Sequence, residues 1–533
     1  MASPARRRAL ALGTALAAAL TAAAGPLVAQ QPAKPPADLD AWVQRAMREL
    51  EVPGVGVAIV KDGRVVLAKG YGVRQAGRPE PVDAHTVFQI ASNTKAYTSA
   101  LLAQLVDEGK LHWDDRVQQH LPWFELSDPW VTREFTIRDL LTHRSGLGLG
   151  AGDLLWLGSD YPREEVVRRL RAVKPVTSFR TAYAYDNVLY IAAGLVVEAV
   201  TGQSWEDAVR ERIFQPLGMR EASTTVRGFQ PGDNVAVPHG HLDGKLVVVP
   251  RDTVDNIGPA GAINANVADA AQWLIAQLDS GRAATGRRLW TPARTREMWA
   301  GVTIIPIGTP APSLAALKPN FSEYALGWSL RDYKGHKLAM HSGGLSGMIS
   351  RTILVPDQRL GVIVLTNAEA SAHDAIAYHV LDAYLGGARP DWIAGFKAAS
   401  GSADASADSV VAAAAAARAK DSKPSLPLAR YAGRYVDAMY GDATITREGD
   451  RLVLRFSHSP AFTGDLEHWQ YDTFVARWRE KHIPDAYVTF ALRADGSVDH
   501  FTMAAVSPAA DFSYDYQDLC FRPAPPAPPA AAR

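Results

Sequence analysis

Two groups of strand-like segments stand far apart in this chain and bracket a long, mostly helical stretch, an arrangement that leaves few folds open. Near the N-terminus, residues 54–60 and 64–71 are apolar and β-branched runs joined by Lys61-Asp62-Gly63, a hairpin turn signal. Residues 38–50 before them read as an amphipathic helix with Leu39, Trp42, Val43, Ala46, Met47 and Leu50 on one face. Three further strand-like runs lie at 337–342, 349–355 and 360–365, with Pro356-Asp357-Gln358-Arg359 as the last turn. A helix over 372–385 follows, with Ile376, Val380, Leu381 and Tyr384 aligned. Strands at both ends with helices between predict an α+β fold (an α/β sandwich): one antiparallel sheet flanked by helices, carrying an all-helical insert.

The composition changes at Ala398. Residues 398–424 are rich in Ala, Ser and Asp and read as a linker, helical in its alanine-rich half. From Ser425, short strands are expected at 431–435, 443–446, 452–456, 473–478, 487–492 and 499–503. Turn residues separate them, as in a small β-sandwich or β-barrel spanning 425–522. Residues 523–533 form a Pro/Ala tail expected to be disordered.

The first 29 residues read as a secretory signal, with Arg6-Arg7-Arg8 as the charged start, an apolar stretch over 9–24 and a cleavage point after Val28-Ala29. An uncleaved membrane anchor is the alternative; alanine partitions poorly into lipid, which favours cleavage and a periplasmic or secreted protein without stable membrane insertion. Residues 30–37 form a polar leader ahead of a first globular domain over 38–397. Acidic and basic residues balance at 56 each, so no nucleic-acid partner is implied. Cys520 is the only cysteine, which excludes an intramolecular disulfide and a cysteine metal site; it is expected to be buried as a small apolar residue. The 14 histidines show no metal-ligand spacing.

The chemistry is concentrated at Ser92-Asn93-Thr94-Lys95, where the apolar run Val87-Phe88-Gln89-Ile90-Ala91 turns into a helix-like run. If Ser92 opens that helix, Ser92 and Lys95 are neighbours on its first turn. A serine hydroxyl becomes a useful nucleophile when a base takes its proton, and a desolvated lysine at a helix N-terminus has a lowered pKa and can be that base. Alone the tetrad is weak, because a serine at a helix start is more often only a cap. Two later segments change the balance: Tyr185-Asp186-Asn187, and His341-Ser342-Gly343-Gly344.

A serine with its lysine, then Y-x-N, then a basic or imidazole residue followed by a hydroxyl and glycines is the set of the penicilloyl serine transferases. With it the chain resembles the class C β-lactamase-like serine hydrolases, which include penicillin-binding proteins, D-alanyl-D-alanine carboxypeptidases, D-aminopeptidases and esterases. The stretches 105–111 with Trp113-Asp114-Asp115, 136–147, Phe214-Gln215-Pro216-Leu217-Gly218-Met219 and Pro259-Ala260-Gly261-Ala262 resemble the family's as well. The resemblance covers roughly residues 38–395. It implies a β-lactamase/transpeptidase-like fold, with the site in the crevice between sheet and helices, and an appended β-domain of a kind found in this superfamily.

The resemblance also assigns roles. Ser92 is the expected nucleophile of an acyl-enzyme and Lys95 its proton acceptor. Tyr185 is expected to move protons at the leaving group and the deacylating water, which at its ordinary pKa of about 10 requires Lys95 to lower it. Whether Lys95 or Tyr185 is the dominant base stays open. Tyr183 is a rival that the Y-x-N register leaves to the core. Asn187 is expected to bond the substrate's acyl amide or to hold a loop. The N–H groups of Ser92 and Gly344 form the expected oxyanion hole, with His341, Ser342 and Gly343 on the same edge strand. His341 stands where class C lactamases carry lysine; imidazole titrates near 6.5, so carboxylate substrates would be attracted only at acid pH. That moves weight to the peptidase and esterase branches. Trp123, Trp130, Trp156 and Trp328 could line a substrate cleft, but such residues are more often core or rim packing, and they are left unassigned.

The expected protein is therefore an exported serine hydrolase that needs no metal or cofactor. Its substrate is a small molecule or peptide with an amide or ester bond, peptidic or D-amino-acid-containing. A β-lactamase and a penicillin-binding or peptidoglycan-sensing protein with little turnover are the alternatives. All catalytic candidates precede the linker, so residues 30–397 are expected to retain the chemistry.

Overall fold

In the computed structural model, residues 33–242 and 244–525 are described; the expected signal and most of the C-terminal tail lie outside them. Helix α1 (Leu39–Glu49) precedes the hairpin of β1 (Gly54–Lys61) and β2 (Arg64–Gly72). After the helical stretch come β3 (Thr303–Ile304), β4 (Ser322–Tyr324), β5 (Ser329–Tyr333), β6 (His336–Leu345), β7 (Met348–Val355) and β8 (Leu360–Thr366). They form one antiparallel sheet in the order β2-β1-β8-β7-β6-β5-β4-β3, so the N-terminal hairpin docks through β1 on the last strand, β8. The three short strands 303–304, 322–324 and 329–333 extend the sheet beyond the sequence expectation.

Strand β1 is buried from Gly54 to Val60, and its alternation sorts side chains between two cores. Val55, Val57 and Ile59 face α1 and helix α5 (Ala372–Leu385), whereas Ala58 and Val60 belong to the core on the helical side. Small residues on that second face let helix α4 (Val267–Leu278) lie close: a Cβ at Gly56 would stand 2.9 Å from Val267, and one at Gly361 3.3 Å from Leu274. Helix α2 (Thr94–Asp107) has apolar residues all round and is buried from Thr94 to Leu105, as suits a helix at the centre of a domain. It stops at Gly109, whose φ of 68° ends the run. Helix α3 (Val188–Thr201) packs on α2, on the same side of the sheet.

The alanine-rich stretch continues helix α6 (Trp392–Ala417), and Arg418, just past its end, donates to the His468 carbonyl at 3.0 Å. The second unit is a closed barrel of eight antiparallel strands, β9 (Gly433–Asp437), β10 (Gly441–Glu448), β11 (Arg451–Phe456), β12 (Thr463–Gln470), β13 (Thr473–Trp478), β14 (Ala486–Leu492), β15 (Val498–Ala505) and β16 (Cys520–Pro523), in chain order around the ring. Closure removes both sheet edges. Cys520 on β16 is half-buried rather than buried, a correction to the sequence expectation, because it is the next residue, Phe521, that turns into the barrel core.

Candidate active site

Ser92 lies in a 3-10 turn (Ala91–Asn93) immediately before α2, not in the helix itself. Ala91 takes a φ of 48°, so the turn is strained at the residue before the candidate nucleophile. Two sheet contacts hold the turn: Asn93 Nδ2 donates to Ser350 Oγ at 2.7 Å, and that hydroxyl donates to the Ile90 carbonyl at 2.8 Å. Lys95, one turn later, is completely buried. Its Nζ donates to Ser92 Oγ at 3.2 Å, to Asn187 Oδ1 at 2.7 Å and to the Ala260 carbonyl at 3.1 Å. The family-like run 259–262 thus supplies an acceptor that aims the lysine.

Desolvation brings the Lys95 pKa down to about 7, against the opposing pull of Asp153 and Asp186. Tyr185 is bonded to Ser92, and Lys95 Nζ lies 4.8 Å from the centre of its ring. The expectation that Lys95 lowers the tyrosine is corrected: burial raises Tyr185 well above its ordinary value, and the lysine is the group carried towards neutrality. The structure therefore favours Lys95 as the base and Tyr185 as a phenol that stays protonated and relays.

Asn187 closes this arrangement from behind. Its Nδ2 donates to Asp153 Oδ2 at 2.8 Å, so both ends of its amide are engaged, one of them on Lys95. Asp153 also accepts from the Trp156 indole N–H at 2.7 Å, and burial pushes its carboxyl up to about 7. Sequence reasoning missed Asp153, which opens a short 3-10 turn (Asp153–Leu155) without a motif. It also left His143 without a role inside the run 136–147. Its ring packs 4.2 Å from that of Tyr185, and its Nδ1 accepts the Asp186 N–H at 3.1 Å. Asp186 in turn accepts the Val188 N–H at 2.9 Å and so caps α3.

Strand β6 lies inside the sheet, between β7 and β5, rather than at its edge as the sequence suggested; β5 pairs only with residues 336–340, so the stretch from His341 runs on past it and is pressed against the nucleophile turn. A Cβ on Gly343 would stand 2.1 Å from the Ile90 carbonyl oxygen and 3.0 Å from Ala91 Cβ, so only glycine permits the approach. The Asn367 N–H donates to the Gly54 carbonyl at 3.2 Å, which fixes the hydrogen-bonding phase of β8 on β1. Carried through the Ile349↔Thr366 and Gly344↔Ile349 pairs, that phase turns the Gly344 N–H away from β7, towards the open edge beyond the end of β5. Ser342 is exposed. His341 is 5 % exposed; its Nδ1 donates to the Ser342 carbonyl at 2.5 Å and its Nε2 accepts from the Tyr324 hydroxyl at 2.8 Å. Burial, with Lys95 nearby, drives its pKa down to about 3, so the expected acid-side titration is corrected: this imidazole is neutral across the ordinary pH range.

The cavity around Ser92 measures about 750 Å³, and Tyr185, Asn187 and the strand from His341 to Gly344 all border it. Tyr183 lies in its wall rather than in the core, and Trp156 lines it. Trp328 is buried in the core, Trp123 lies under Arg168 and Trp130 is exposed at 56 %. Arg351, on the same cavity, is held by Asp374 at 2.6 and 2.9 Å. The candidates all come from before the linker, but the wall does not: Asp511, Phe512 and Ser513 of the barrel stand in it.

Residues 39–385, well over half of the chain, match the Beta-lactamase family. The chain belongs to that family. Residues 417–523 match a domain of unknown function, DUF3471. The chain is 29% identical over 439 residues to an unguisins hydrolase of Aspergillus campestris, covering 77% of this chain and 78% of the relative. It is 32% identical over 345 residues to penicillin-binding protein 4 of Amycolatopsis lactamdurans, covering 62% and 86%. The octameric penicillin-binding protein homologue from Pyrococcus abyssi superposes with a TM-score of 0.58 at 22% identity, over 91% of this chain and 99% of that one, and so shares the fold. The β-lactamase-like fold with its separate barrel, and membership of a family of serine hydrolases, are thereby established for this chain.

Proposed function

We propose that the protein hydrolyses amide or ester bonds of small peptidic substrates, D-amino-acid-containing ones included, through an acyl-enzyme on Ser92. The observation that carries this is a fully buried Lys95 at 3.2 Å from Ser92 Oγ, with its pKa brought to about 7. Neutral Lys95 takes the Ser92 proton as Oγ attacks the carbonyl carbon, and the N–H groups of Ser92 and Gly344 receive the oxyanion. As the carbon–leaving-group bond breaks, the proton passes from Lys95 through the Tyr185 hydroxyl to the departing nitrogen or oxygen. A water activated by the same pair then attacks the ester, and Ser92 regains its proton.

Substrate charge supports the peptidase or esterase reading over a β-lactamase. His341 is neutral and Arg351 is committed to Asp374, so neither offers a free cation to a substrate carboxylate beside the scissile bond. The cavity also continues away from Ser92: Trp156, Gly344, Asp511 and Ser513 border a second space of about 710 Å³ between catalytic domain and barrel, which suits a substrate of more than one residue. We also propose export to the periplasm or medium, on the strength of Arg6-Arg7-Arg8, the following apolar run and Val28-Ala29.

The test is a panel of nitrocefin, p-nitrophenyl acetate, D-alanine p-nitroanilide and a D-Ala-D-Ala peptide, run on the full chain and on Ser92→Ala. Turnover of an ester or amide that vanishes in Ser92→Ala supports the proposal. Rapid turnover confined to nitrocefin would make the protein a β-lactamase, and a long-lived acyl adduct without turnover would make it a binding protein.

A further inference from the structure

The barrel reaches the catalytic cavity through the loop between β15 and β16. Phe512 stands in that loop with its ring edge-on to Tyr185, centroids 5.6 Å apart. It is 36 % exposed and borders the same cavity as Ser92, so one side of the ring rests on the candidate catalytic phenol while the rest faces open space. Leu149, 50 % exposed, is a second large apolar side chain on this cavity. Exposed apolar groups at the mouth of a reacting site are matched by an apolar part of the ligand.

The loop is fixed rather than merely near. Asp515, buried and three residues on, accepts the N–H groups of Gly152 and Leu154 at 2.8 and 2.9 Å, gripping the loop that carries Asp153. Gly150 has a φ of 71°, and a Cβ there would stand 2.5 Å from the Phe512 carbonyl oxygen and 2.9 Å from its ring. The Gly150 N–H donates to the Tyr185 carbonyl at 2.8 Å, so the segment that fits against Phe512 also positions the tyrosine. At a distance from the cavity the barrel is tied down again: the Tyr161 hydroxyl donates to the Tyr440 carbonyl at 2.5 Å, and Arg169 donates to the Met439 carbonyl at 2.9 Å.

We propose that Phe512 is a specificity-determining residue supplied by the barrel: its ring is the wall against which the substrate group next to the scissile carbonyl rests, and it limits the size of acyl group that Ser92 accepts. This gives the domain of unknown function a role in substrate choice, and it rests on Ser92 being the nucleophile. A wall of this kind discriminates by volume, because each methylene admitted to an apolar space gains about fourfold in affinity for the transition state.

The experiment compares full-length wild type, Phe512→Ala, Phe512→Leu and Phe512→Trp. The reading is the acylation burst of p-nitrophenol from the acetyl, butanoyl, hexanoyl and 3,3-dimethylbutanoyl esters. Each protein is first checked for Ser92 labelling with a fluorophosphonate and for its melting transition. The expected result is a rise in the hexanoyl-to-acetyl ratio of about fifteenfold in Phe512→Ala (about two methylenes accommodated), a smaller rise in Phe512→Leu and a fall in Phe512→Trp. Wild-type ratios in all labelled, folded variants would overturn the proposal. If wild type itself gives neither a burst nor a Ser92 adduct, the nucleophile assignment fails first, and the two failures are told apart by that control.

Discussion

Replacing Asp153 by Asn tests the electrostatics behind the proposed base. Asp153 reaches Lys95 only through the Asn187 amide, with contacts of 2.8 and 2.7 Å at its two ends. That places carboxylate and ammonium roughly 6–7 Å apart, where opposite charges attract by about 2.5 kcal/mol at an effective dielectric near 20, equal to about two pH units. Asp153 itself titrates at about 7. It therefore carries about half a charge where Lys95 loses its proton, and the effect felt is about one unit; the two groups titrate as a pair. The sign follows directly: Asp153 holds the proton on Lys95, and without it the lysine becomes neutral at lower pH. The assay is the p-nitrophenol burst from p-nitrophenyl acetate between pH 5 and 9, normalised to the fraction of protein labelled at Ser92. Wild type should show an acylation limb rising with a midpoint near 7, set by Lys95. Asp153→Asn should move that midpoint down by about one unit. Two donors, Trp156 Nε1 and Asn187 Nδ2, would then meet an amide with a single acceptor oxygen, so stability should fall by about 1–3 kcal/mol. A midpoint that stays in place or moves up would refute the assignment of Lys95 as the base that Asp153 restrains.

Three other outcomes are expected. Gly343→Ala brings a Cβ to 2.1 Å from the Ile90 oxygen, and because that nearest neighbour is backbone the strand must move; acylation should fall by about 10²-fold, read as the burst rate, with the fold intact by circular dichroism. In a Ser92→Ala background, binding of a carboxylate-bearing β-lactam should be independent of His341 charge between pH 5 and 8, because that imidazole titrates only at about 3; Kd values that tighten towards pH 5 and lose this dependence in His341→Gln would contradict the buried, neutral ring. Prolonged EDTA or phenanthroline should leave ester turnover intact, since Lys95 supplies the base and backbone N–H groups the oxyanion stabilisation; a loss restored by Zn²⁺ would contradict this.

The sheet was legible where a strand is apolar along its whole length, as at 54–60 and 360–365, since such runs have few other homes. It was not legible at 303–304, 322–324 and 329–333, which are short, partly polar strands towards one end of the sheet whose pairing depends on β6 already being in place. The barrel strand Thr463–Gln470 was missed for a similar reason: it contains Gly464, Asp465 and Glu467, and only its alternate residues turn inward. The site was readable in Ser92, Lys95, Tyr185, Asn187 and Gly343-Gly344 because their chemistry demands particular residue types at short spacings. Charge states were not readable. Lys95, Tyr185 and His341 each lie far from their ordinary pKa chiefly because of burial, which overrides the neighbouring carboxylates at Lys95 and acts with the neighbouring charges at Tyr185 and His341, and burial is a property of the fold. Asp153 and Phe512 were invisible for another reason: one opens a short 3-10 turn that carries no motif, and the other is brought to Tyr185 from more than 300 positions along the chain by docking of the barrel.

The central claim is that Ser92 attacks the substrate and carries the acyl group. It is tested most directly by incubating the full-length protein with a fluorophosphonate or a labelled β-lactam, digesting it and mapping the adduct by mass spectrometry. The account predicts one adduct, on the peptide containing Ser92-Asn93-Thr94-Lys95, absent in Ser92→Ala and slowed in Lys95→Met, in which no base is left beside the hydroxyl. Labelling of a different serine, or full hydrolytic activity in Ser92→Ala, would contradict it.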